Sequence, residues 1–225
     1  MSDYSPVDVS STRLFRLAQT RRQPPTAAPA PNGTGSRQRD DSERCDLCAT
    51  PIAPTHRHLL NVSERRLVCA CPACATLFPG RNAGGHQYRL IPDRVRRLED
   101  VELNDVAWAE LAIPVDIAFF FQDTAAGRTV ALYPSAVGVT ESRLSLDTWG
   151  AIAMRSPTIA SLEPDVEALL VNRTRGAREE WAVPIDRCYR LAGLIRQHWK
   201  GLGGGDEVWK HVEAFFDELR GARRA

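Results

Sequence analysis

The sequence predicts an α+β protein: a small four-Cys, zinc-ribbon-like module followed by an antiparallel sheet packed by C-terminal helices. Three observations predict it. Cys45-Asp46-Leu47-Cys48 and Cys71-Pro72-Ala73-Cys74 are two Cys-x-x-Cys pairs, separated by roughly twenty residues as in four-thiolate metal sites. Between about 113 and 184, short apolar runs alternate with turn residues, which is how strands of a compact sheet read. From Asp186 onward, apolar residues recur at helical spacing in two separate stretches.

The totals bound the reading. The chain has 225 residues, 43% hydrophobic and 25% charged, ordinary for a globular protein with one medium domain and small appendages. A formal net charge of +1 argues against a dedicated nucleic-acid binder. No run reaches the roughly 18 apolar residues of a membrane span, and no apolar signal-peptide core begins the chain, so a cytoplasmic location is expected. Five of the six cysteines fall between 45 and 74. In a reducing compartment that clustering points to metal ligation over disulfides.

In chain order, residues 1–42 read as a tail. Leu14, Phe15, Leu17 and Ala18 suggest a short amphipathic helix within 10–22. The proline-rich run from Pro24 to Gly33 sustains neither helix nor sheet and reads as linker. The metal module follows over 43–87, and the α+β domain over 88–225. Within the module, His58–Val62 and Leu67–Cys69 are expected to pair as a hairpin, with the turn over Ser63–Arg66, bringing the two cysteine knuckles together. Gly84-Gly85 and Gly201–Gly205 lack the Gly-Lys-Ser/Thr of a phosphate loop and read as connectors. Arg94, Arg96 and Arg97, with Glu99 and Asp100 after them, read as a solvated charged face.

The second domain should open with a buried strand over Val115–Phe121, which carries three consecutive phenylalanines. A turn over Asp123–Gly127 and a return strand over Thr129–Tyr133, ended by Pro134, follow. Asp147 is expected to cap a helix running to Arg155. Val166–Val171 and Trp181–Val183 read as further strands. Asp186 should cap a helix with its stripe at Cys188, Leu191, Ile195 and Trp199, and Asp206 another at Val208, Val212, Phe215 and Leu219. Cys188 is expected in the core.

Cys45, Cys48, Cys71 and Cys74 are the candidate metal ligands. Four thiolates leave Zn²⁺ no open position, so the site reads as structural; iron held in the rubredoxin manner is the alternative. Metal binding would supply much of this small module's folding free energy, on the order of 10 kcal/mol. Cys69 reads as a spectator thiol over a transient replacement ligand, and His56 and His58 as surface groups or groups that support ligands from behind, over members of a His-containing site that leaves one Cys unused. Nucleic-acid binding through the arginines at 44, 57, 65, 66 and 81 is the third reading, weakened because Phe78 is the module's one Phe, Tyr or Trp ring. Neither His-Glu-x-x-His, nor Gly-x-Ser-x-Gly, nor the deaminase His-x-Glu with Pro-Cys-x-x-Cys is present, so no enzymatic activity is expected.

Glu43–Cys48, His56–Leu59, Leu67–Cys74, Tyr88–Asp93, Gly127–Ser142, Glu163–Glu179 and Val183–Gly201 together resemble an uncharacterised family, chiefly actinobacterial, encoded beside uptake nickel–iron hydrogenase genes. The resemblance implies an accessory role in hydrogenase assembly, maturation or electron supply, with a hydrogenase subunit or maturation factor as partner. The nickel-insertion chaperones of hydrogenases also carry two Cys-x-x-Cys pairs, but bind nickel through an N-terminal Met-His. This chain begins Met1-Ser2-Asp3, and direct nickel delivery is not expected of it.

Overall fold

A computed structural model of the chain describes residues 43–79, 87–101, 103–142, 146–201 and 204–222. The expected helix within 10–22, the proline-rich linker and the Gly84-Gly85 connector lie outside the described residues. The protein is α+β. Strands β1 (Arg57–Asn61), β2 (Arg66–Ala70) and β3 (Tyr88–Leu90) form one antiparallel sheet in the order β2-β1-β3. Strands β4 (Arg96–Leu98), β5 (Ile117–Asp123), β6 (Arg128–Ser135), β7 (Gly138–Glu141), β8 (Glu167–Asn172) and β9 (Glu179–Pro184) form a second, in the order β4-β9-β8-β5-β6-β7. The helices are α1 (Pro72–Ala75), α2 (Asp105–Glu110), α3 (Leu146–Arg155), α4 (Pro157–Ala160), α5 (Ile185–His198) and α6 (Gly205–Ala222). Among the described residues no helix is long and apolar enough to cross a membrane.

The three phenylalanines show why the larger sheet has two apolar faces. Side chains alternate across a strand. Phe119 and Phe121 therefore pack with Leu170, Trp181 and Val183 against α5 and α6, while Phe120 packs on the opposite face with Leu169, Val171 and Trp149. The C-terminal helices cover the first face, as the stripes at Cys188, Leu191, Ile195 and at Val208, Val212, Phe215, Leu219 anticipate; these seven are buried, whereas Trp199, the last position of the first expected stripe, is the C-cap of its helix and only partly buried. The second face is covered by the connections carrying α2, α3 and α4, whose Leu103, Leu111, Trp149, Ile152 and Ile159 are buried. Each such side chain contributes roughly 1.5–3 kcal/mol of burial. Strands covered on both faces lose the polar alternation of a half-exposed sheet, and Glu167–Asn172 is buried at every position.

Several ends differ from the sequence reading for local reasons. The Asp123–Gly127 turn forms as expected: Asp123 Oδ1 accepts from Ala126 N at 2.8 Å and Gly127 takes φ 65°. Pro134 does not end β6. The ladder with β5 stops at Leu132, and Pro134 pairs only with Val139 of β7, so its missing N–H removes no bond to β5. Helix α3 starts at Leu146, which puts Asp147 inside the first turn instead of at the cap. Helix α5 is capped by Pro184 without a side-chain bond. Asp186 sits in its first turn and turns its carboxylate to His58. Asp206 likewise lies in the first turn of α6, after Gly205.

Ion pairs anchor the small sheet and the sheet edges. Arg89 of β3 is 6% exposed and reaches Asp165 at 2.9 Å, Glu163 at 2.6 Å and the Pro164 carbonyl. Arg65, at the hairpin tip, pairs with Asp123 and with Glu141. The three arginines expected to face solvent are partly committed: Arg94 forks onto the buried Glu167 at 2.7 and 3.0 Å, and Arg97 lies over the Trp181 ring and 3.7 Å from Glu179.

Candidate metal centre

The hairpin β1–β2 positions both knuckles. Its turn spans residues 62–65, one residue earlier than expected, so Cys69 pairs across the ladder with His58 and Ala70 with Arg57. The two faces of the hairpin then part company. Leu59, Val68 and Ala70 pack with Ala75 of α1, Phe78, Tyr88 and Leu90 in a small core of their own. On the other face, Leu60 and Leu67 pack into the large core beneath α5 and α6.

The first knuckle is a tight loop. Ala49 N donates to Cys45 O at 2.8 Å, Cys45 N donates to Thr50 O at 2.9 Å, and Ala49 adopts φ 60° to close it. Asp46 fastens the loop to β2: its N–H donates to Cys69 O at 2.9 Å and its Oδ2 accepts from Cys69 N at 2.7 Å. The second knuckle is the start of α1. Cys71 is the N-cap, Pro72 takes the first helical position, and Cys71 Sγ accepts from Cys74 N at 3.4 Å. Pro72 fits there because that position needs no N–H donor.

Cys45, Cys48, Cys71 and Cys74 place their sulfurs within 4.8 Å of one another, an arrangement that can hold a metal ion. Cys48 and Cys71 Sγ are 3.7 Å apart. A tetrahedron with metal–sulfur bonds of about 2.3 Å has edges of about 3.8 Å, so that pair is already at bonding separation. Cys45 and Cys71 are buried, Cys74 half-buried and Cys48 exposed.

The proton affinities divide within the group. Cys48 is lowered to about 6, first by its contact with the Thr50 hydroxyl and then by the Thr50 backbone. Cys45 is lowered too: burial raises it, but backbone donors at Cys71, Leu47 and Cys48 outweigh that. Cys74 is pushed up to about 12, chiefly by sharing its proton with Cys48 and Cys71. Two of the thiols therefore lose a proton more readily than usual and one less readily, and a cation at the centre would favour the ionised form of all the ligands. Cys188 is fully buried on α5 in the large core, and its burial pushes the thiol up.

The structure also brings Cys69, expected as a spectator thiol, together with the two histidines. His56, His58 and Cys69 form a second group whose donor atoms lie within 4.8 Å of one another. His56 and His58 share a side by alternation, their rings meet edge-on at 4.7 Å, and Cys69 stands opposite His58. His58 Nδ1 is 2.8 Å from Asp186 Oδ2 at the start of α5. The spacing of two histidines was visible in the sequence. The pairing with Cys69 depended on a one-residue turn position, and the contact with Asp186 on packing between distant segments.

No curated protein and no solved structure matches the chain. A family described as a family of unknown function, DUF5947, matches residues 44–223. That range takes in both cysteine knuckles, both sheets and all the described helices, and the chain belongs to this family.

Proposed function

We propose that this protein is a non-enzymatic, metal-binding accessory protein that acts through protein–protein contact. Cys45, Cys48, Cys71 and Cys74 hold one structural Zn²⁺, and the surfaces built around them support the assembly, maturation or electron supply of a nickel–iron hydrogenase. The observation that carries the metal part is the gathering of four sulfurs from two knuckles within 4.8 Å. Four thiolates complete a tetrahedron and leave no position for a substrate. The bound ion would fix the two knuckles against β2 and stabilise the module; Asp46, Thr50 and the backbone donors at Leu47 and Cys74 orient the sulfurs toward it. The hydrogenase part rests on the sequence resemblance.

The test is capture of partners by the tagged full-length chain from cells expressing a nickel–iron hydrogenase. Recovery of a hydrogenase subunit or maturation factor, lost in a Cys45→Ser variant, is the expected result. Recovery of neither removes the hydrogenase assignment while leaving the metal site to be judged by metal analysis.

A further inference from the structure

We propose that His56, His58 and Cys69 form a second metal site, separate from the four-thiolate cluster, that binds a divalent first-row transition metal and keeps one coordination position open. The donor types are two imidazoles and a thiolate, which suit Zn²⁺ and its neighbours over the hard cations. Three protein ligands with an open fourth position are the pattern of sites that exchange a ligand, against four for sites that only hold structure.

The tautomers point the same way. His56 Nδ1 lies 2.9 Å from Ala53 O, and a carbonyl oxygen only accepts, so Nδ1 carries the proton. Its Nδ1 edge also faces Glu43 Oε2 at 3.6 Å, and the side chain is 7% exposed. The lone pair is thereby left on Nε2, which is buried and has no hydrogen-bond partner among the described residues. A buried ring nitrogen without a partner is costly, and a metal ion satisfies it. His58 repeats the arrangement. Its Nδ1 donates to the Asp186 carboxylate at 2.8 Å, which sets Nε2 as the ligand atom. A carboxylate behind a histidine is the usual support of a metal-bound imidazole. Asp186 Oδ1 is itself buried and unpartnered among the described residues.

The surroundings supply the open position. A cleft of about 780 Å³ runs between the ribbon and the start of α5, and His56, His58 and Asp186 line it with Leu67, Pro92 and Tyr189. Arg187 and Arg190 on its wall are both engaged by Glu218, at 2.6 and 2.8 Å. The cleft therefore offers no unpaired guanidinium at these two positions, and a water or a small neutral donor is the fitting fourth ligand. For tetrahedral bonds of about 2.0–2.3 Å the three donor atoms would stand roughly 3.3–3.7 Å apart, a contraction of at most about 1.1–1.5 Å from the 4.8 Å limit of their separation.

The experiment saturates the full-length protein with Zn²⁺, removes the excess, and counts metal per chain beside X-ray absorption at the zinc edge. Two metal ions per chain are expected, with imidazole scattering near about 2.0–2.1 Å beside the sulfur shell. His58→Gln and Cys69→Ser should each lose one ion, while a Co²⁺ titration still shows the thiolate bands of the first site, which reports that the variants fold. Asp186→Asn is a positioning change. It should weaken binding of the second ion about 10–100-fold and leave the first unaltered. One ion per chain, a sulfur-only shell, or two ions that survive both ligand substitutions overturns the proposal.

Discussion

Replacing Arg89 by Met tests how the small sheet is fastened to the large one. Met keeps most of the length and the apolar stem but removes the guanidinium. Arg89 serves three acceptors: Asp165 Oδ2, Glu163 Oε1 and the Pro164 carbonyl. Its side chain is 7% exposed and that of Asp165 is 4% exposed, so water cannot replace the lost donors at Asp165; Glu163 is 29% exposed and can be hydrated. Breaking one side of a buried ion pair costs about 3–5 kcal/mol. Asp165 retains bonds from Thr124 N and Thr124 Oγ1, both at 2.8 Å, which places the expected loss at the lower end, about 3 kcal/mol. At roughly 2–4 °C per kcal/mol for a chain of this size, the melting temperature should fall by roughly 6–12 °C. Urea unfolding followed by circular dichroism reads the same quantity without reference to heat. A loss below about 1 kcal/mol would show that Arg89 behaves as a surface pair and would refute the reasoning.

Three further outcomes are expected. Phe120→Ala removes a fully buried ring that stacks on Trp149 at 4.6 Å; it should cost about 3–5 kcal/mol, measured as a shift in the urea midpoint. Acid should destabilise the fold through Glu167 and Glu179. Burial raises both, but Arg94 at Glu167, and Arg220 with Asn172 at Glu179, more than offset it and hold both carboxyls below their ordinary value of 4.5. A folded-state value below the unfolded one contributes stability above pH about 4.5 and loses it as pH falls through the folded value. Unfolding midpoints between pH 7 and pH 3 should therefore drop, and Glu167→Gln should make that drop shallower. Cys74→Ser should reduce metal bound at the four-thiolate cluster and lower the protection of the β1–β2 hairpin amides in hydrogen exchange, while the amides of β5 and β8, which lie in the large core, stay protected.

How much of this was legible depended on how locally each feature is encoded. The two cysteine knuckles, the run Phe119-Phe120-Phe121 and the stripes on α5 and α6 are set by residues a few positions apart, and the sequence displays them directly. The second layer over the large sheet was legible only in α3, the helix expected to run to Arg155. Its helices α2 and α4 are six and four residues long, too short for a helical period to stand out. Strands β3 and β4 have three residues each, and arginines occupy three of those six positions because Arg89 and Arg97 pair across the fold. Asp186 looked like a helix cap, the commonest local use of an aspartate there; only the seating of the hairpin against α5 shows that its carboxylate belongs to His58. The grouping of His58 with Cys69 turned on whether the hairpin turn began at residue 62 or 63, a shift that changes cross-strand partners without changing which residues are apolar.

The proposed function stands first on a closed four-thiolate metal site. Its most direct test is elemental analysis with zinc-edge X-ray absorption on the His58→Gln/Cys69→Ser protein purified without oxygen, in which the second set of donors is gone. One zinc per chain, a shell of four sulfurs at about 2.3 Å and no visible absorption are expected. Iron with thiolate charge-transfer bands would transfer the site to electron carriage, and a folded protein that retains no metal would contradict the account outright.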